Sequence, residues 1–318
     1  MTPAGGAPAG HPDVRPDPGD FHGRPTRRMT NGAITVEVLA EAGPRIVGLW
    51  REGSPENLLA ETPDLGWDTA LGRYELLGGH RLWFAPEVPE RVAVPDSGGL
   101  TLEALDGGLR LTGVTEPVTG CVRSIEVRLD PVLPALTMAH RVENRGERPL
   151  ELAPWSITQL PLGGVALLPQ RRATTGHRPR PNRNLVLWPY ASWEDPRLRI
   201  RDGLVTVGAV GGPELKVGCL DDTGWVAYVR DGVALVRRFD PAVTERHADL
   251  GCNVEAFCGA RYLELEVLGP LWTLAPGAAA VLLERWEVRE VATGAPELRD
   301  ALDGPLEAAQ TVHHGDAH

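Results

Sequence analysis

The sequence has 318 residues, an apolar fraction of 42% and a formal net charge of −11 at pH 7. This length suits either two domains or one large all-β domain, and the composition is sufficient for a sizeable core. The acidic balance argues against a nucleic-acid backbone as partner.

The four cysteines are scattered, and none belongs to a CxxC pair or a zinc-like His/Cys cluster. We expect free thiols in a reducing compartment. The N-terminal stretch lacks the apolar segment of a secretory signal, and no apolar run approaches membrane-spanning length. The sequence therefore predicts a cytoplasmic protein with no membrane partner and no nucleotide, redox or metal cofactor. It leaves the oligomeric state open.

The chain divides into a tail, one large domain and a short C-terminal region. Residues 1–28 are rich in Gly, Pro, Asp and Arg and are predicted to be a disordered tail. Residues 29–292 contain many short strands separated by turn signals, without βαβ alternation, which predicts an all-β sandwich of two large antiparallel sheets. Residues 293–318 are predicted to form a short helix followed by a polar tail.

The segment from Asp64 to Pro89 lacks a clear period and is predicted to be irregular. Paired glycines at 78 and 79 permit positive φ angles, and His80, Arg81 and Trp83 follow them. Such a loop could face a ligand, or its tryptophan could plug the edge of the core while the arginine pairs with an acid.

Two later segments are candidates for ligand contacts. Pro161 to Arg183 is loop-rich and basic, which fits either a phosphate site or a solvated excursion, and whether it folds over a cleft is left open. Leu185 to Trp193 is rich in aromatic residues, including Trp188, and aromatic rings commonly stack on sugar rings.

The most informative stretch is Tyr262 to Pro270. Its apolar residues alternate with Tyr262, Glu264 and Glu266, which predicts a strand with one buried face. The two carboxyls share the other face, where one can keep a proton while its neighbour ionises. This arrangement suits acid/base chemistry, although the solvated face of an antiparallel strand would show the same spacing.

Several motifs together resemble the galactose-mutarotase-like (aldose 1-epimerase-like) superfamily, whose fold is a β-supersandwich. The resemblance covers about Gly32 to Val291 and looks closest to a DUF4380-type branch. Its carriers are Gly43-Pro44-Arg45-Ile46, Gly78-Gly79-His80-Arg81-Leu82-Trp83, Pro154-Trp155, Leu265-Glu266-Val267-Leu268-Gly269-Pro270 and Leu274-Ala275-Pro276-Gly277.

The resemblance implies a carbohydrate-active protein that interconverts the anomers of a small sugar by acid/base catalysis. It implies Glu266 as base, with Glu264 as a rival, and it places Trp155 where the family has its catalytic histidine. Because an indole is not a useful acid, His80 is the candidate replacement. The candidate substrate contacts are Arg81, Trp83, Trp155, Trp188, Lys216, Asn253 and Glu255.

Two alternatives remain open. The same fold could bind a carbohydrate without chemistry, with Trp83, Trp155 and Trp188 as a stacking platform. Glycoside cleavage by a carboxylate pair is disfavoured, because such pairs flank the scissile bond from opposite sides and neighbours on one strand do not.

Overall fold

The computed structural model describes residues 16–170, 181–201, 203–292 and 298–306, except for the side chains of Pro89 and Val92. Two large antiparallel sheets pack face to face. The front sheet consists of β1 (Asp17–Phe21), β2 (Arg24–Thr30), β3 (Ile34–Leu39), β4 (Arg45–Arg51), β7 (His80–Ala85), β12 (Leu150–Pro161), β14 (Val186–Leu187), β17 (Leu215–Cys219), β20 (Val254–Cys258), β21 (Tyr262–Leu268) and β22 (Trp272–Leu274).

The back sheet has ten strands, and a separate hairpin and two short helices complete the described structure. The back-sheet strands are β8 (Thr101–Leu105), β9 (Gly108–Thr112), β10 (Cys121–Leu129), β11 (Ala135–Asn144), β13 (Val165–Pro169), β15 (Leu198–Arg201), β16 (Leu204–Gly208), β18 (Trp225–Arg230), β19 (Val233–Phe239) and β23 (Ala279–Glu290). The hairpin is β5 (Glu61–Thr69) with β6 (Gly72–Gly78), and the helices are α1 (Pro89–Val92) and α2 (Leu298–Asp303).

The prediction of an all-β sandwich of two large antiparallel sheets is confirmed. The centre of the front sheet runs in the order β4-β7-β12-β21-β20-β17. Its inward side chains, such as Leu265 and Val267, are fully buried against the back sheet. Burial of this apolar surface is the main stabilising term of the fold.

The predicted end of the N-terminal tail at residue 28 is wrong. Residues 17–28 are not a tail, because β1 and β2 form a hairpin there through the turn at His22-Gly23 and extend the front sheet at β3. Both are polar strands at the edge of the sheet, and they lack the alternation of apolar and polar residues that predicts a strand. Of the predicted C-terminal region, α2 is described, and residues 293–297 and 307–318 lie outside the described residues.

The segment predicted to be irregular between Asp64 and Pro89 instead contains β5, β6 and β7. Its glycine pair does have positive φ values, 93° at Gly78 and 69° at Gly79. A Cβ on Gly79 would lie 2.0 Å from the carbonyl oxygen of Ile46. The glycines therefore allow a close turn into β7, which is a central strand and not a loop.

Candidate functional site

One face of the front sheet, the face turned away from the back sheet, collects the charged side chains. Residues paired across neighbouring antiparallel strands share a face. Glu266 pairs with Ile157 on β12 and with Glu255 on β20, while Glu264 pairs with Gln159 on β12. The site cluster, as we name it, comprises Arg81, Trp83, Trp155, Gln159, Lys216, Glu255, Glu264 and Glu266.

The two glutamates of β21 do lie on the face opposite the leucines, as predicted. Neither is solvated, because Glu264 is 9% and Glu266 0% exposed. Glu264 accepts a hydrogen bond from Arg81 Nη2 at 2.9 Å. The solvated-strand interpretation is therefore wrong for this pair.

Lys216 binds two carboxyls at the centre of the site cluster. Its Nζ donates to Glu266 Oε2 at 3.0 Å and lies 2.8 Å from Glu255 Oε2, in an ion pair that lacks hydrogen-bond geometry. The ammonium also sits 4.7 Å from the Trp155 ring centroid and 4.6 Å from that of Trp188. Two carboxyls, two indole faces and burial together hold this lysine in place.

The electrostatics of the site cluster favour a proton on Glu255. Burial raises the pKa of this carboxyl well above its ordinary value, and repulsion from Glu266 adds to the rise, while Lys216 opposes it. The carboxyls raise the pKa of Lys216 despite its burial, so its amine stays protonated and is not a nucleophile. One carboxyl is thus suited to donate a proton beside another that accepts hydrogen bonds.

Several buried polar atoms of the site cluster have no hydrogen-bond partner among the described residues. They are Arg81 Nε and Nη1, Gln159 Nε2 and Oε1, Glu255 Oε1, and Glu266 Oε1, whereas Glu255 Oε2 has the Lys216 ammonium at 2.8 Å. Buried polar atoms are ordinarily paired, since an unpaired one costs about 1–3 kcal/mol. This set mixes donors and acceptors, as does the surface of a polyhydroxylated ligand.

The structure does not bring His80 to the site cluster. Because β7 is a strand, His80 and Arg81 point to opposite faces. His80 is fully buried between the sheets, 2.7 Å from His140 through their Nε2 atoms and 2.9 Å from Thr158 Oγ1. Burial lowers its pKa well below the usual range, so it stays neutral and out of a ligand's reach.

The predicted tryptophans do not form an open platform on which a sugar could stack. Trp83 is 5% and Trp155 3% exposed. Arg81 covers the Trp83 ring at 4.5 Å, and Trp155 Nε1 donates to Glu266 Oε2 at 2.8 Å. Of the three predicted tryptophans, Trp188 is the one that is partly exposed, and Tyr190 nearby is 48% exposed. Trp83 and Trp155 therefore support the charged groups and do not offer open faces.

Asn253 is fully buried, and its side-chain amide forms hydrogen bonds with backbone atoms. Its amide accepts from Asp221 N at 2.7 Å and donates to the carbonyls of Asp221 and Pro241. It therefore organises the turn that leads into β20 and Glu255. Of the basic Pro161–Arg183 segment, residues 171–180 lie outside the described residues.

Sequence reasoning missed Gln159 and two carboxyls near the site cluster. Gln159 shares the face of Trp155 on β12, so the period of two could have found it. Glu87 and Asp249 lie in irregular segments without a period, and both interact electrostatically with Lys216 and Glu266.

Behind the site cluster, a second polar group lies between the sheets. Arg237 and Glu284, both fully buried, pair at 2.9 Å and 3.0 Å. Arg237 Nη1 also donates to the carbonyl of Leu265, the residue between the two glutamates of β21. This contact holds the backbone that carries Glu264 and Glu266.

No protein-family model and no curated protein matches the sequence. Solved structures do match it. A provisionally assigned aldose 1-epimerase from Escherichia coli K12 is 14% identical, with a TM-score of 0.53 over 84% of this chain and 99% of the other. A galactose mutarotase-like protein from Lactobacillus casei is 10% identical, with a TM-score of 0.55 over 83% of this chain and 100% of the other.

A provisionally assigned mutarotase from Salmonella typhimurium is 11% identical, with a TM-score of 0.52 over 87% of this chain and 94% of the other. At such identities these similarities establish the fold and not the activity. The chain therefore has the galactose-mutarotase-like fold, as the sequence motifs implied.

No group of three or more His, Cys, Asp or Glu side chains within the described residues could hold a metal ion. No helix in the described part of the chain is long and apolar enough to cross a membrane.

Proposed function

We propose that the site cluster binds a small carbohydrate and interconverts its anomers by acid/base catalysis. The observation that carries the proposal is the set of unpartnered donors and acceptors on Arg81, Gln159, Glu255 and Glu266, gathered on one face. The hydroxyls of a sugar both donate and accept, so they satisfy such a mixed set. The fold, shared with proteins described as mutarotases, supports the same proposal.

In this mechanism Glu266 is the base and Glu255 is the acid. Glu266 Oε1, which has no partner in the described residues, takes the proton of the anomeric hydroxyl. The bond from C1 to the ring oxygen breaks, and Glu255, with its raised pKa, gives its proton to that oxygen. Rotation about C1–C2 and closure on the other face return both protons and invert the anomeric centre.

Glu255 takes the role that the sequence assigned to His80. It stands directly opposite Glu266 on the adjacent strand, and one oxygen of each carboxyl lies within 3.0 Å of Lys216 Nζ. Arg81 and Gln159 would contact hydroxyls at the other end of the ring. Membership of a DUF4380-type branch and location in the cytoplasm stay predictions.

A ligand reaches the buried carboxyls only if the cover over Lys216 moves. Trp188 lies over the ammonium, and its backbone N–H bonds to the carbonyl of Lys216 at 3.4 Å. Tyr190 follows it, next to Lys216 and Glu266. We propose that this aromatic segment opens to admit the sugar and then packs against it.

The test is NMR saturation-exchange measurement of α/β interconversion over a panel of aldoses. Glu266→Gln should abolish exchange while leaving sugar affinity within about tenfold, or about 1.4 kcal/mol. Glu103→Gln, on the exposed edge strand β8, is the matched control and should exchange like the wild type. Unchanged exchange in Glu266→Gln would remove Glu266 from the mechanism.

The second candidate function is carbohydrate binding without chemistry. It is favoured by Trp155, an indole, at the position where the resemblance expects a catalytic histidine. Sugars that bind but interconvert no faster than in buffer would decide for this function.

A further inference from the structure

The two oxygens of the Glu266 carboxyl have different surroundings. Oε2 accepts two hydrogen bonds, from Trp155 Nε1 at 2.8 Å and from Lys216 Nζ at 3.0 Å. Oε1 has no hydrogen-bond partner among the described residues, and the side chain is fully buried. Because its lone pairs accept no hydrogen bond from the protein, Oε1 is the oxygen that can accept one from a ligand hydroxyl.

The carboxyl does not select one of its oxygens by itself. The last torsion of a glutamate side chain is broad and roughly two-fold, so either oxygen could face the ligand. Lys216 does not make the choice alone, because an ammonium has three rotatable donors and Nζ also lies 2.8 Å from Glu255 Oε2. The second donor, the indole of Trp155, has a single N–H whose direction is fixed by the ring.

The Trp155 ring is held in place by its neighbours. It is 3% exposed, and Trp83, its partner across β7 and β12, packs edge-on against it with a centroid distance of 5.6 Å. Trp83 is held in turn, because its Nε1 donates to Tyr74 Oη at 3.1 Å. The Lys216 ammonium also lies 4.7 Å from the Trp155 ring centroid. The N–H that reaches Glu266 therefore comes from a closely packed ring.

We infer that Trp155 is a positioning residue: its N–H holds Glu266 Oε2 and thereby presents Oε1 to the anomeric hydroxyl of the sugar. This inference rests on the proposed function, because it concerns the base of the same reaction. An indole N–H only donates, so it stays a donor throughout the proton transfer. The residue that stands where the resemblance expects a catalytic histidine thus acts through Glu266 and not on the sugar.

The first experiment removes the N–H and keeps an aromatic ring. Trp155→Phe should lower kcat of anomer exchange about 100-fold and change KM by less than about threefold, because a misplaced base affects the reaction more than ground-state binding. Trp225→Phe is the matched control and should exchange like the wild type. Its indole is also fully buried and donates to a carboxylate, that of Asp303 at 2.8 Å, but it lies on the back sheet beneath α2.

The second experiment requires no turnover. Calorimetry compares galactose and glucose with the anhydroalditols of the same ring, which lack the anomeric hydroxyl. In at least one pair the sugar should bind the wild type about tenfold tighter than its analogue, since the analogue cannot donate to Glu266 Oε1. Trp155→Phe should reduce that ratio by about threefold or more, and Trp225→Phe should leave it unchanged. Equal ratios in Trp155→Phe and the wild type overturn the inference.

The third experiment observes the hydrogen bond itself and does not depend on the folding of Trp155→Phe. In NMR spectra of the indole N–H groups, Glu266→Gln should shift one signal most, because an amide oxygen is a weaker acceptor than a carboxylate. Asp303→Asn weakens the bond of Trp225 in the same way and shows how large a shift to expect. In the wild type, the signal found with Glu266→Gln should move when the sugar binds and move less when its anhydroalditol binds. Equal movement with both ligands, or no shifted indole signal in Glu266→Gln, overturns the inference.

The outcomes separate this inference from the proposed function. Anomer exchange that persists at the wild-type rate in folded Trp155→Phe overturns the inference alone. Sugars that bind but do not interconvert remove the catalytic function, and the comparison with the anhydroalditols then decides whether Trp155 orients Glu266. A panel in which no sugar binds overturns both.

Discussion

Replacing Lys216 with methionine tests how the site cluster is held together. The substitution keeps most of the side-chain volume and removes the charge that lies 2.8 Å from Glu255 and 3.0 Å from Glu266. Both carboxyls are fully buried, and breaking a buried ion pair from one side typically costs about 3–5 kcal/mol.

This cost has an upper limit, because a buried carboxyl that loses its counter-ion can take up a proton instead of keeping its charge. A carboxyl with an ordinary pKa near 4.3 can be protonated at pH 7 for about 3.7 kcal/mol, but at pH 5 for only about 1 kcal/mol. The pKa of Glu255 is already raised in the wild type, so part of the free-energy cost of protonating this carboxyl is present before the substitution. Loss of two cation–π contacts adds about 1 kcal/mol at either pH.

We therefore expect Lys216→Met to lower the free energy of unfolding by about 3–5 kcal/mol at pH 7 and by about 1–2 kcal/mol at pH 5. The sign follows from linkage. A carboxyl whose folded pKa is raised contributes stability below its unfolded pKa, and that stability is lost as the pH rises through the folded value.

Urea unfolding followed by tryptophan fluorescence at both pH values measures the difference. Adding Glu266→Gln to the Lys216→Met variant removes the carboxyl that accepts the hydrogen bond of Lys216, and it should restore most of the loss at pH 7, whereas Glu255→Gln should restore less, because the pKa of Glu255 is already raised in the wild type. A loss that is equal at the two pH values, or larger at pH 5, would refute the assignment of Lys216 as the counter-ion of a buried carboxyl pair.

Three further substitutions test other parts of the structure. His80→Gln should leave anomer exchange intact and make the unfolding free energy less pH-dependent below pH 6.5, by up to about 1.4 kcal/mol per pH unit. The reason is that burial holds the pKa of His80 low, so folding at acidic pH must keep this side chain neutral. Lost exchange in a folded variant would return His80 to the mechanism. Arg237→Leu should lower the free energy of unfolding, measured in urea, by about 3–5 kcal/mol at pH 7. The loss should be smaller below pH 4, because Arg237 holds the pKa of Glu284 at about 2 and its contribution fades as the carboxyl is protonated. Gln159→Leu should weaken sugar binding about tenfold in calorimetry without lowering the unfolding free energy, because its amide has no partner to lose.

The strand pattern of β21 was readable from the sequence because one of its faces is wholly apolar. A period of two over Leu263, Leu265 and Val267 separates the glutamates from the core without reference to the rest of the chain. The same signal failed for β7, since His80 and Arg81 are both polar and both buried, on opposite faces of the sheet. Without alternation, the pattern predicts a loop and not a strand, and it places His80 on the wrong face of the sheet.

The contacts between side chains on neighbouring strands could not be predicted from the sequence, for a different reason. The sequence predicts Glu255 and Lys216 as substrate contacts, but their contact with Glu266 depends on the register of β17, β20 and β21. Sequence spacing does not contain that register. The burial that raises the pKa of Glu255 likewise depends on how the surrounding segments pack, which no local pattern specifies.

Lys216 is the only lysine of the sequence, and its side chain is 6% exposed. Isotope-labelled lysine supplied during expression would therefore give a single side-chain signal, positioned between two indoles and two carboxyls. Amine-directed reagents would likewise modify a side chain at one position only, at a rate governed by how often the aromatic cover opens. The protein thus contains its own spectroscopic probe at the point where its chemistry is proposed to occur.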